Sequence, residues 1–144
     1  MISMQHWKQS TKRYGVTERR IKMDYGWQTV LGNCPSKSNC YKIIKVANHA
    51  KLGKADALVK YEKSFYMQCG KYRNLNIDGY FEFHCNVYYP SMRSDLDNSL
   101  KIQLDCLQMV KAIANDNKCV KIVAEKFLDK LNPRIEFKLI SVEL

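Results

Sequence analysis

No uninterrupted apolar run in this sequence approaches the ~20 residues a helix needs to cross a bilayer. The opening stretch, MISMQHWKQSTKRYG, lacks the apolar middle segment of a secretory signal. These two absences predict a soluble, cytoplasmic protein. None of the six cysteines (Cys34, Cys40, Cys69, Cys85, Cys106, Cys119) belongs to a CxxC pair, whereas structural zinc sites are usually built from such closely spaced ligands. Cys85, Cys106 and Cys119 lie in apolar stretches, so reduced and mostly buried thiols are expected. Internal repeats, low-complexity segments and a Gly-rich nucleotide loop are also missing, and without that loop a sugar-nucleotide transferase is a poor reading. Carboxylates are scarce: 14 Asp and Glu face 24 Lys and Arg, a net charge of +10.

What is present suits one globular domain, since 144 residues with 46% hydrophobic content can bury a real core. The positive charge is uneven. Residues 1–52 hold ten Lys/Arg against Glu18 and Asp24, whereas residues 53–144 are nearly balanced. An excess of this size implies a polyanionic partner bound through salt-sensitive phosphate contacts. Charge by itself supports binding, not cutting, so a basic DNA-binding protein that never cleaves stays open at this point.

Residues 1–24 are polar and basic, with Lys12, Arg13, Arg19 and Arg20 among them. They read as an N-terminal arm that orders on DNA or as a solvated terminus, with the folded domain at 25–144. Alternation over Tyr25–Leu31 predicts a first strand, followed by a Gly/Pro/Ser/Asn loop at 32–39 that carries Lys37. Tyr41–Val46 is a short candidate strand and Asp56–Gln68 a helix, which Gly70 is expected to stop through a left-handed conformation. Gly79–Tyr89 is the clearest strand: Phe81, Phe83, Cys85, Val87 and Tyr89 share one face, and Pro90 ends it. A second helix is predicted over Asn98–Ile113, and closing strands over Val120–Phe127 and Arg134–Val142. The order β, β, α, β, α, β, β predicts an α/β (α+β) fold, a single domain with a mixed sheet of four to five strands and two main helices.

The stretch that carries chemistry is Arg93-Ser94-Asp95-Leu96-Asp97-Asn98-Ser99-Leu100-Lys101, then Asp105 and Asn115-Asp116. Carboxylates one residue apart lie on one side of an extended chain, and they repel unless a cation or proton intervenes. Mg²⁺ resolves this, because it takes one or two carboxylates together with waters and substrate phosphate. Asp97 also reads as a helix N-cap and Asp95 as a solvated turn residue. Lys101 and Asp105 continue the helical face of Asp97 at i+4 spacing, either as a phosphate-facing cation or as an ordinary surface ion pair.

The pattern Arg93-x-Asp95-Leu96-Asp97-Asn98-x-x-Lys101-x-x-x-Asp105-x-Leu107, with Asp116 further on, resembles the signature of RusA-type Holliday junction resolvases. The Pro35-Ser36-x-x-Asn39 loop resembles that family's N-terminal motif, and the likeness runs from about Trp27 to Leu139. It implies that Asp95, Asp97 and Asp116 are catalytic and bind Mg²⁺ (Mn²⁺ substituting), and that Lys101 is the catalytic lysine. It also implies a homodimer that nicks opposed strands of a four-way junction, in a bacterial or phage setting. Arg93, Lys37 and the arm residues Lys12, Arg13, Arg19 and Arg20 would hold the DNA backbone, while Asp105, Asn98 and Asn115 would support the reacting groups. The chain departs from the family in having no glycine after its second helix, Lys118 where a glutamine is common, and Arg93 alone in place of an arginine run. The basic arm would compensate for those missing arginines. Geometry adds one expectation. A helix over Asn98–Ile113 is ~24 Å long, and three more residues reach back at most ~10 Å. Either that helix ends early, or Asp116 completes the site of the partner subunit, and a shared site is the expectation.

Overall fold

A computed structural model describes residues 15–144. In chain order the strands are β1 (Arg20–Asp24), β2 (Gln28–Leu31), β3 (Tyr41–Val46), β4 (His49–Lys54), β5 (Phe81–Tyr89), β6 (Cys119–Leu128) and β7 (Arg134–Glu143). The two helices are α1 (Asp56–Gln68) and α2 (Asp97–Met109), and 3-10 turns occupy Lys37–Asn39 and Asp116–Lys118. The fold is the expected α+β domain, with a five-stranded mixed sheet beside the two helices.

Period-two patterning builds the centre of this sheet. Phe81, Phe83, Cys85, Val87 and Tyr89 of β5 are all buried, as are Ile135, Phe137 and Leu139 of β7. β5 pairs antiparallel with β7 and parallel with β6. β1 and β2 both pair antiparallel with β7, so the sheet runs β1-β7-β5-β6 with β2 also on β7. α1 buries Leu58, Tyr61 and Phe65, and α2 buries Ile102, Cys106 and Leu107, in the same core as the β5 and β7 side chains. Phe65 and Phe137 stack with ring centres 5.8 Å apart.

Three differences from the sequence reading have physical causes. Strand β1 lies inside the segment read as an arm, because Arg20–Asp24 completes backbone ladders on β7 although its side chains are exposed. Lys12 and Arg13 of that arm lie outside the described residues. Strand β4 had no alternation to reveal it; it pairs with β3 through a turn at Ala47 and Asn48, both at positive φ (51° and 66°). Helix α1 ends where expected, but not through a left-handed Gly70. Cys69 closes it instead, donating to Phe65 O at 3.0 Å while its own carbonyl accepts from Tyr72 and Arg73. All six cysteines are free thiols and five are buried, and burial pushes Cys34 and Cys85 up to about 12. Among the described residues no helix is long and apolar enough to cross a membrane.

The jog between β1 and β2 is held from below. Gly26 sits at φ 80°, with its N–H donating to Asp24 Oδ1 at 2.8 Å. The hydroxyl of fully buried Tyr72 donates to Gly26 O and accepts from Leu139 N. Tyr72→Phe strands a buried N–H and a carbonyl, a loss of ~1–3 kcal/mol. Urea unfolding of Tyr72→Phe should therefore show a lower midpoint with an unchanged slope.

Candidate active site

Two parallel strands, β5 and β6, are joined by α2, and the acidic sequence occupies this crossover. Its first part, the loop 90–96, leaves the carboxyl end of β5, the place where open α/β sheets usually bind ligands. The loop's backbone is pinned at several carbonyls. Lys126 of β6 donates to Met92 O (3.3 Å) and Ser94 O (2.9 Å). The Tyr89 hydroxyl donates to Asp95 O at 3.4 Å, and Ser99 Oγ to Leu96 O at 3.2 Å. Asn98 N–H also donates to Asp95 O, at 3.3 Å.

The carboxylates on this fixed backbone are left free. Asp95 and Asp97 are exposed, and neither has a hydrogen-bond or ion-pair partner among the described residues. Asp97 is the first residue of α2 rather than its cap: the cap position is Leu96, with no side-chain cap bond. A carboxylate there still gains from the positive end of the helix dipole. Asp97, Lys101 and Asp105 follow one another at i+4 intervals along the exposed face, while Ser99, Ile102, Gln103 and Cys106 face the core.

Helix α2 ends at Met109, four residues before the expected Ile113, because Val110–Ile113 turns back into the core. Val110, Ala112 and Ile113 are buried, and Lys111 sits at φ 61°. That early end corrects the reach argument for a shared site. Asp116 returns alongside its own helix: its N–H donates to Gln108 Oε1 at 3.1 Å, and its carboxylate meets Lys101 Nζ. Asn115 caps the 3-10 turn by accepting from Asn117 N–H at 3.0 Å. Lys101 also holds Asp105 Oδ1 at 3.0 Å. Bonds to Asp116 and then Asp105 raise the Lys101 ammonium above the ordinary lysine range, so it stays charged until the pH rises through that raised value.

The donor chemistry suits a hard divalent ion, since every candidate ligand is a carboxylate oxygen. The gathering is incomplete, however. Among the described residues no three His, Cys, Asp or Glu side chains are close enough together to hold a metal. Asp116 is instead paired with Lys101.

Other expected contacts are dispersed. Arg93 is exposed in the acidic loop, and the 3-10 turn bearing Lys37 lies against α2. Arg20 stands in β1 opposite Glu143, and Arg19 Nη1 donates to Val120 O at the start of β6. Of the nearby aromatics, Tyr89 is core, Tyr88 is covered by Arg134 and Phe127, and Trp27 is half exposed. His84 pairs with Glu82 at 2.9 Å. The loop-pinning Lys126, Tyr89 and Ser99 and the Asp116-holding Gln108 escaped the sequence reading; only the placement of Lys126 on a strand paired with β5 could have flagged it.

The family model of endodeoxyribonuclease RusA matches residues 34–140, a span that holds the whole acidic crossover. The chain belongs to the RusA endodeoxyribonuclease family. It is thus a nuclease of a family that resolves Holliday junctions in DNA recombination. No curated protein matches the chain significantly. Strands β1 and β2 precede the matched segment, although both complete the sheet through β7.

Two predictions come from this geometry. Lys126→Met should speed amide exchange over residues 92–96 while moving the unfolding midpoint little, since among the described residues the ammonium hydrogen-bonds to that loop alone; unchanged exchange would show that Lys126 does not hold it. Mixing Asp95→Asn with Asp116→Asn protein should recover no cleavage, because each chain brings Asp116 to its own Lys101. Appreciable recovery would mean that the acids combine across subunits.

Proposed function

We propose that this RusA-family chain is a Mg²⁺-dependent (Mn²⁺-tolerant) endodeoxyribonuclease that nicks opposed strands of four-way junctions as a homodimer, in a bacterial or phage-infected cytoplasm. The observation that carries the reading is a pair of carboxylates without hydrogen-bond or ion-pair partners among the described residues: Asp95 on the pinned loop, and Asp97 at the start of α2, one helical turn before Lys101.

Asp95 and Asp97 would hold the ion with Asp116 as third ligand, and the bound ion supplies an activated water and charge for the leaving oxygen. Asp116 becomes available when its contact with Lys101 opens. Asp105 keeps Lys101 in place meanwhile, so the ammonium stays beside the acidic face to stabilise charge on the scissile phosphate. Asn98 fixes Asp95 through its backbone N–H, and Asn115 fixes the Asp116 turn through its side-chain oxygen. Exposed Arg93 in the acidic loop and exposed Lys37 on the 3-10 turn beside α2 would hold phosphates without reading bases. The basic residues ahead of β1 would add affinity in the same way.

Incubation of a synthetic mobile four-way junction and a matched linear duplex, each with Mg²⁺ or EDTA, tests the proposal. Paired nicks on the junction alone, dependent on metal, are expected. Asp97→Asn should reduce cutting to background while leaving junction affinity in EDTA intact. Cutting of flaps and forks at equal rates would make the chain a broader branched-DNA endonuclease. If Asp97→Asn cleaved normally, the acids would have no catalytic role.

A further inference from the structure

Between Asp24 and Asp56 the chain contains no carboxylate, yet it carries Lys37, Lys42, Lys45, Lys51 and Lys54. The last four stand on the β3–β4 hairpin, which forms a separate two-stranded sheet. At its base Ala55 N–H donates to Cys40 O at 2.7 Å. Nearly every residue of the ribbon beyond that base is exposed on both faces.

Its chemistry is mixed in an ordered way. Lys42 and Lys54 have acidic neighbours, Asp56 at 3.6 Å and Glu62 at 3.0 Å. Lys45 and Lys51 have none among the described residues. Ile43 and Leu52 are direct cross-strand partners on one face and are 77% and 66% exposed. Lys45 shares the face of this pair, whereas Lys42 and Lys51 stand on the opposite face of the ribbon; against duplex phosphates alone the pair would find nothing apolar to cover it. Bases unstacked at a branch point offer both: phosphates for the lysines and apolar ring faces for the pair. Proteins that kink or open DNA insert isoleucine and leucine in this way, and a two-stranded ribbon is of a size that enters a DNA groove.

The ribbon is continuous with the candidate active site. Tyr41 and Lys54 at its base line a cleft with Asp105 and Gln108 of α2, the residues that hold Lys101 and the Asp116 backbone.

We propose that the β3–β4 hairpin is a branch-recognising DNA surface, with Lys42, Lys45 and Lys51 on phosphates and the Ile43–Leu52 pair against unstacked bases at the junction. This rests on the branched-DNA nuclease reading. The experiment compares wild type, Lys42→Gln/Lys45→Gln/Lys51→Gln and Ile43→Thr/Leu52→Thr. It measures binding of a synthetic four-way junction and a matched duplex in EDTA across a salt series, and cutting in Mg²⁺ at saturating junction. The lysine variant should bind both DNAs more weakly, with a salt slope shallower by ~2–3 as up to three phosphate contacts are lost. The apolar variant should keep its duplex affinity but lose about 10-fold in junction affinity, the scale of one displaced apolar contact. Both should keep the wild-type unfolding midpoint and saturated cutting rate. Unchanged salt slope and junction preference, with wild type still cutting, overturn the hairpin proposal alone. A change in sedimentation-measured oligomeric state in the apolar variant, without altered junction preference, also overturns it and assigns the pair to a second copy of this chain. Wild type that neither binds nor cuts the junction removes both readings.

Discussion

Two parallel strands cannot be joined by a tight turn; the chain must leave one end of the sheet and return to the other, usually through a helix. The crossover from β5 to β6 obeys this constraint, and most of the candidate site follows from it. Helix α2 must bury a stripe on the sheet, so Ile102, Gln103, Cys106 and Leu107 turn inward. The opposite face is then committed to solvent, and Asp97, Lys101 and Asp105 occupy it. The chain must also descend from α2 to the start of β6, and the turn that does so delivers Asp116 to Lys101. The loop, the helix and the returning turn thus all belong to a single connection, and that connection brings Asp116 and Asp105 to Lys101.

Electrostatics then decides how much of the site is assembled in advance. Three aspartates and an additional Asp105 on one face would repel each other, and the fold answers with one cation placed between two of them. Lys101 is half exposed and its partners are partly so, so its ion pairs contribute little to stability. The same weakness makes Asp116 easy to release. Asp95 and Asp97 have no such partner, and the fold tolerates this by leaving them in water rather than burying them. The rigidity resides in the backbone beneath, where Lys126, Tyr89 and Ser99 hold carbonyls. Fixed main chain with uncommitted carboxylates is an arrangement that leaves ligand oxygens free while limiting the entropy lost on binding.

The parts of the fold visible in the sequence are those where side-chain period and burial agree. β5 reads cleanly because its inward residues are aromatic or aliphatic, and α1 reads to its final residue because Tyr61 and Phe65 sit at helical spacing. The acids Asp95, Asp97 and Asp116 and the cation Lys101 stood out for a different reason: their order resembles a family signature, and the family model that matches the chain spans all four. β1 and β4 were hidden because their pairing is a backbone matter; Arg20–Asp24 and His49–Lys54 bury almost nothing. The end of α2 was also hidden, since Val110, Ala112 and Ile113 continue an apolar pattern that suits a buried turn as well as a helix. Overrunning that end by four residues displaced Asp116 far enough to suggest a second subunit. Residues such as Lys126 and Gln108 exert their influence through carbonyls and amide groups distant in sequence, which no local pattern encodes.

The charge asymmetry noted at the outset acquires a structural meaning from this arrangement. The first part of the described chain supplies β1, β2 and the lysine-rich hairpin, none of which contributes an acid to the candidate centre. The second part supplies the crossover, where carboxylates and lysines nearly cancel. A nuclease needs both kinds of surface, but mixing them would be costly. Lysines spread among Asp95, Asp97 and Asp116 would neutralise the carboxylates proposed to hold a divalent ion, as Lys101 already does for one of them. Carboxylates spread through the hairpin would weaken the phosphate-binding surface proposed for it. Segregation along the chain would keep affinity and chemistry on separate elements, and the cleft between Tyr41, Lys54, Asp105 and Gln108 is where the hairpin and α2 adjoin. At that seam, DNA drawn in by the basic half would meet the acidic face of α2, with Lys101 there to offset the repulsion between its phosphates and the waiting carboxylates.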